Sequence, residues 1–121
     1  MQDITHNLPE VIQANIAAHN ERDEDTFIST FASDALLNDA SREFFGHDAI
    51  RGWVKKEIFD DSVTMTVKKA YINHGNIIIH AIVDGTFDKS KLPDPVILTY
   101  YFSVRDEKIT QLIILLNKDI Y

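Results

Sequence analysis

The chain contains no cysteine, which excludes a disulfide framework, a thiolate nucleophile and a cysteine-ligated metal. A cysteine-free chain is compatible with a reducing compartment, and a cytoplasmic location is the expectation. Positive charge is also scarce: Lys and Arg number 12 against 19 Asp and Glu, and the lysines cluster only as the pairs Lys55-Lys56 and Lys68-Lys69. Binding to a phosphate backbone needs clustered positive charge, so no nucleic-acid partner is expected. Long apolar runs are missing as well. Asp3, Pro9 and Glu10 break up the N-terminal segment, and no stretch approaches the roughly 20 residues of a membrane-spanning helix, so neither a secretory leader nor a membrane partner is expected. A serine nucleophile elbow, a phosphate-cradling glycine loop and a dinucleotide fingerprint are absent. His6, His19, His47, His74 and His80 form no i, i+4 pair, so neither a metal site nor a cofactor is expected.

What is present suits a single domain over residues 1–121, long enough to bury one core without staples. Asn7, followed by Pro9 and by Glu10 three residues on, predicts a capped helix start, with Leu8, Val11, Ile12 and Ile16 recurring at helical spacing. Asn15 and His19 add two polar groups on or beside that stripe. The acidic run at 21–25 precedes a second short helix whose buried side is Phe27, Ile28 and Phe31, with Asp34 at its end. A short strand is expected over 35–39, a turn over 41–43, re-entry of Phe44-Phe45 into the core, and a bend at Gly46. A third helix then carries Ala49, Ile50, Trp53, Val54 and Ile58 as far as Asp60.

From Val63 the apolar period changes to two. Strands are predicted from Val63, over 77–87, over 96–104 and over 109–116, the first two joined by Asn73-His74-Gly75-Asn76. Runs such as Ile77-Ile78-Ile79 and Val96-Ile97-Leu98 are apolar on both faces, whereas the free face of a singly packed antiparallel sheet should be polar. A second copy of the chain covering the outer sheet face, giving a homodimer, is the expectation.

Asp39 ends the apolar segment Ala35-Leu36-Leu37. Two fates are open to it: a carboxylate facing a pocket, or a strand-end Asp bonding the amides of its own turn.

The pattern Asn20, Asp23, Phe27, Phe31-Ala-x-Asp34-Ala, Asp39, then Gly46-x-x-Ala49-Ile50-x-x-Trp53, together with the element order α-α-β-α-β-β-β-β, resembles the SnoaL-like branch of the nuclear transport factor 2-like superfamily, which includes ketosteroid isomerases. The resemblance covers nearly the whole chain. It implies an α+β cone of cystatin-like type, a curved antiparallel sheet wrapped around three helices with a pocket between them. It also implies a general-base Asp at the end of the first strand, a placement that Asp39 matches. The isomerase oxyanion donors are a Tyr on helix 1 and a protonated Asp on a late strand, positions that fall here on Asn15 and Tyr100. Both can donate hydrogen bonds, so a site with a different donor order is open, but the isomerase's own donors are replaced and steroid isomerisation itself is not implied.

The expected site therefore comprises Asp39 as base, with Tyr100, Asn15 or His19 holding an oxyanion. Trp53, His80, Phe27, Phe31, Leu37 and Phe102 would form the wall of a pocket for a small apolar or aromatic molecule. Packing accounts equally well for Trp53, and a hydrogen-bonded core position for His19 and His80. His47 and Arg42 are expected at the surface or the mouth, and Tyr100 and Tyr101 on opposite sheet faces. Members of the superfamily include isomerases, cyclases, epoxide hydrolases and non-catalytic association modules, so three readings stay open: cofactor-free proton transfer, hydrolysis through an Asp-Arg-Asp type network, and a binding or dimerisation module without catalysis.

Overall fold

The computed structural model describes residues 1–116, and the end of the expected 1–121 domain lies outside them. The elements in chain order are β1 (Gln2–Asp3), α1 (Glu10–Glu21), α2 (Glu24–Ser29), β2 (Phe31–Asp39), β3 (Arg42–Phe45), α3 (Gly46–Trp53), a π-helical turn (Val54–Phe59), β4 (Thr64–Asn73), β5 (Asn76–Asp84), β6 (Val96–Arg105) and β7 (Lys108–Leu116). Among the described residues no helix is long and apolar enough to cross a membrane.

The helix starts differ from expectation. Pro9, not Asn7, occupies the cap of α1, and its carbonyl accepts from the amides of Ile12 and Gln13 at 3.0 Å each. Proline fits because an unpaired amide at this position would go unused in any case. Asp23 caps α2 by accepting from Thr26 N at 3.2 Å, so part of the acidic run has a structural role. Phe31 belongs to β2, not to the second helix. Thr30 O receives a bond from Ile109 N at 2.8 Å, which draws the chain onto β7 as soon as α2 ends.

The seven strands form one mixed sheet in the order β1-β4-β5-β6-β7-β2-β3. The predicted meander, β4 to β7, is antiparallel throughout, with Asn73 paired to Asn76 around the turn His74-Gly75. Both turn residues have positive φ, which a two-residue turn between twisted strands demands. The departure is β2, which runs parallel to β7 and carries β3 as the sheet's edge. Along that edge Phe44 and Phe45 alternate. Phe44 lies against Trp53 at 6.4 Å, but Phe45 is 68% exposed, so the expected re-entry of both rings into the core holds for one.

The inner face packs on the helices through Ile77, Ile79, Ala81 and Val83 of β5, Tyr100 and Phe102 of β6, and Leu112 and Ile114 of β7. Asn20 ties α1 to this sheet, its amide nitrogen donating to Met65 O at 2.9 Å and its carbonyl accepting from Met65 N at 2.8 Å. Register across three strands aligns Tyr100 with Ile114 and Ile114 with Asp39. With strands about 4.8 Å apart, the two polar residues stand roughly 10 Å apart along the backbone, on one face.

Candidate functional site

Between this face and the third helix lies a cavity of about 340 Å³. Its polar lining is Asp39, Glu57, Asp61, Tyr100 and the indole of Trp53. The rest is apolar, with Val83, Leu98, Ile114 and Leu116 from the sheet and Phe87 and Leu92 from the loop after β5. That loop was predicted as strand as far as Phe87. The strand ends at Asp84 because Thr86 turns to donate to Asp61 O from both N (2.8 Å) and Oγ1 (3.0 Å). Gly85 permits the approach, since a Cβ there would lie 2.7 Å from the same carbonyl oxygen.

Asp39 does not bond the amides of its own turn. That role falls to Asn38, whose Oδ1 accepts from Ser41 N at 2.9 Å. Ala40 and Ser41 both have positive φ, and the Asx bond helps hold this otherwise unfavourable turn. Asp39 Oδ2 instead accepts from Trp53 Nε1 at 3.0 Å and from Arg42 Nη2 at 2.9 Å. Its second oxygen, Oδ1, has no partner among the described residues. Arg42 also donates through Nη1 to Glu57 Oε1 at 2.9 Å, so one guanidinium bridges two cavity carboxylates. The Glu57 bond, followed by the charges of Glu57 and Asp39, raises the Arg42 pKa above its ordinary value.

Tyr100 is 4% exposed, and its hydroxyl makes no hydrogen bond among the described residues. Burial, and secondarily the charge of Asp39, push its pKa upward, so the phenol stays protonated as a donor. Its neighbour Tyr101 points to the other face and is 39% exposed.

Of the residues expected at the site, the cavity brings together Asp39, Tyr100 and Trp53. The other seven stand elsewhere. Asn15 donates to Thr30 Oγ1 at 3.0 Å and fixes the α1–α2 corner. His19 is buried beside Phe27, its Nδ1 at 3.2 Å from Asn20 Oδ1. Phe27, Phe31, Leu37 and Phe102 are core residues outside the lining. His80 is the correction with the plainest cause. It alternates with the inward Ile79 and Ala81, so it faces the outer side, at 2.9 Å from Thr99 Oγ1. His47 bonds the Phe31 carbonyl at 2.8 Å.

Sequence reasoning missed Glu57 and Asp61. Glu57 had a usable signal, since it follows Trp53 by four residues and so shares its helical face. Asp61 comes after the helix, where no periodicity applies. No group of three or more His, Cys, Asp or Glu is gathered to hold a metal among the described residues.

No protein-family model matches the sequence, and no curated protein matches it. Solved structures do. A protein from Sinorhizobium meliloti assigned as a polyketide cyclase is 28% identical, with a TM-score of 0.83 over 92% of this chain and 98% of its own. A protein of ketosteroid isomerase-like fold from Catenulispora acidiphila, solved with trimethylamine, is 24% identical, with a TM-score of 0.76 over 90% of this chain and 86% of its own. TerC, co-crystallised with polyporic acid, is 14% identical at a TM-score of 0.76, covering 89% of each chain. The chain thus has the α+β fold of the nuclear transport factor 2-like superfamily, and its structural neighbours are the polyketide cyclase and ketosteroid isomerase-like proteins that the SnoaL-like resemblance implies.

Proposed function

We propose that the cavity binds a small, largely apolar organic molecule and that Asp39 acts on it as a general base, without a cofactor, next to a carbonyl group. One observation carries this reading: a carboxylate with one oxygen held and the other unpartnered shares an apolar cavity with an unpartnered phenol donor. Asp39 Oδ1 takes a proton from the carbon beside the carbonyl. The C–H electron pair forms the new carbon–carbon double bond, the carbonyl pair moves to oxygen, and the Tyr100 hydroxyl stabilises that oxyanion. With a substrate whose carbonyl is followed by a β,γ carbon–carbon double bond the intermediate is a dienolate, and returning the proton from Asp39 to its γ carbon shifts the double bond into conjugation and restores the carboxylate. Trp53 and Arg42 hold the carboxylate in position throughout. The small molecules bound by the Catenulispora protein and TerC support the ligand class.

The test is deuterium exchange into small cyclic enones and diketones in D2O, followed by NMR. Asp39→Asn should slow exchange at least about a hundredfold. The fold should survive, because Asn can still accept from Trp53 and the lost ion pair, with Arg42 53% exposed, is worth at most about 1 kcal/mol. Exchange by the variant at the wild-type rate rules the mechanism out.

One observation favours a second reading, hydrolysis by an activated water: Arg42 bridges Asp39 and Glu57 in a carboxylate-guanidinium-carboxylate arrangement. Arg42→Gln separates the two. Proton exchange should persist within severalfold, whereas hydrolysis of an epoxide would be lost with the bridge.

The homodimer belongs to the same proposal. Ile78, Ile82, Ile113 and Leu115 lie with Tyr101 on the sheet face away from the helices, and Leu115 is 45% exposed. A second copy would cover this apolar face. Sedimentation at micromolar concentration should give twice the chain mass, and a monomer there counts against it. We keep the cytoplasm as the compartment, which a cysteine-free chain allows.

A further inference from the structure

The charged side chains that line the cavity are all of one sign. Asp39, Glu57 and Asp61 line it, and among the described residues no Lys, Arg or His does. Arg42 stands at the rim and is engaged with the first two. In the loop that closes the cavity, Lys89 is paired with Asp84 at 2.5 Å. Asp61 itself carries a carboxylate that forms no hydrogen bond or ion pair among the described residues. It is half-buried, and its position is fixed, since its backbone oxygen holds Thr86 and the glycine at 85 lets that loop close over it.

A cluster of acidic residues on open surface would be answered by water and salt. Here the walls are apolar, and Tyr100, 4% exposed, presents a polar group without a partner to the same space. Apolar walls lower the dielectric beside these carboxylates and strengthen charge interactions in the cavity, so an anion entering meets repulsion and a cation meets the converse.

We propose that the ligand carries a cationic amine, held by Asp61, on an apolar body that fills the sheet side, with any reacting carbonyl at the Asp39–Tyr100 end. This rests on the reading of the cavity as a ligand site and adds the charge of what it accepts. Anionic carboxylates and phosphates are disfavoured as ligands by the Asp61 carboxylate and by the net negative charge of the lining.

Three molecules with one rigid body test it: 1-aminoadamantane, 1-adamantanol and adamantane-1-carboxylate, titrated calorimetrically into the full chain at pH 7. The ammonium compound should bind at least tenfold tighter than the alcohol, and the carboxylate at least tenfold weaker. Asp61→Asn should bring the ammonium compound down to the level of the alcohol and leave the alcohol unchanged. A carboxylate that binds as well as the alcohol overturns the inference, as does an ammonium preference that survives Asp61→Asn. If the alcohol binds with no charge preference, the ligand-site reading stands and this inference alone falls. If none of the three binds, both fall.

Discussion

Phe27→Ala is expected to lower the unfolding free energy by about 3–5 kcal/mol, a large part of the 5–15 kcal/mol typical of a domain. The side chain is 1% exposed, and its ring sits 5.3 Å from Phe31 and 6.5 Å from each of Trp53 and Phe59. Its neighbours belong to a strand, a helix and a π-helical turn, so they cannot collapse together into the vacated space without moving the backbone of all three. The helix that carries it, α2, has six residues, far below the length at which a helix holds itself together in water. Burial of Phe27 and Ile28 is what keeps it in place. Urea unfolding followed by the single tryptophan reads the loss directly, because Trp53 stacks on the deleted ring. Phe45→Ala, the same deletion at a side chain 68% exposed, should change stability by less than about 0.5 kcal/mol. Equal losses in the two variants would sink this account of the core. The deletion should also reach the cavity, since Trp53 is the indole that holds Asp39 Oδ2.

The sequence is most legible where the two-residue period dominates. From Val63 onward the alternation predicts four strands and their pairing, because each side chain's face follows from its parity. The same parity separated Tyr100 from Tyr101 correctly. Applied to His80 it would have put that residue on the outer face, opposite Ile79 and Ala81. A polar residue in an apolar run is by itself no sign of a pocket, since parity alone decides which face it takes.

The region from Phe31 to Trp53 was legible in its residues and not in its connections. That β2 pairs in parallel with a strand more than 70 residues later is a long-range choice that no local pattern announces. The turn at Ala40-Ser41 lacks the Asn-Gly signature its geometry would suggest, and it relies on the side chain of Asn38, so Asp39 could not be told from a capping residue by inspection. Arg42 looked like a mouth residue. Its bridge to Glu57 requires the π-helical turn to come beside the β2–β3 hairpin, which is a property of packing. Asp39 is thus readable from a strand end, Trp53 from helical spacing and Tyr100 from the family resemblance, whereas the charge of the far side is not.

Lowering the pH from 7 to 4 is expected to cost the fold about 3 kcal/mol through His19 alone. The imidazole is 3% exposed, and Asn20 fixes its tautomer. The Asn20 amide group donates to Met65 O, so its oxygen faces His19 Nδ1, which must carry the proton. Nε2 is left as a buried lone pair with no partner among the described residues. Protonating it would place a charge where nothing accepts its hydrogen, and burial accordingly lowers the pKa from 6.5 to about 4, against a smaller opposing effect of the Asn20 bond. In the unfolded chain the same group titrates near 6.5. Between these values the unfolded state binds a proton that the folded state refuses, so stability falls as pH drops, by up to about 1.4 kcal/mol per unit. The exposed carboxylates Asp3, Asp84 and Asp88, whose pKa values are lowered by hydrogen bonds and in two cases by lysines, act only below their ordinary value of 3.8, so their window does not overlap most of this one. His19→Leu removes the titrating group and leaves Asn20 Oδ1 still bonded to Met65 N. Its urea midpoint should therefore vary little between pH 6.5 and 4.5, while the parent protein's falls steadily. Parallel slopes in the two proteins would mean that the acid sensitivity arises elsewhere, and that the buried lone pair is not what the fold loses to protons.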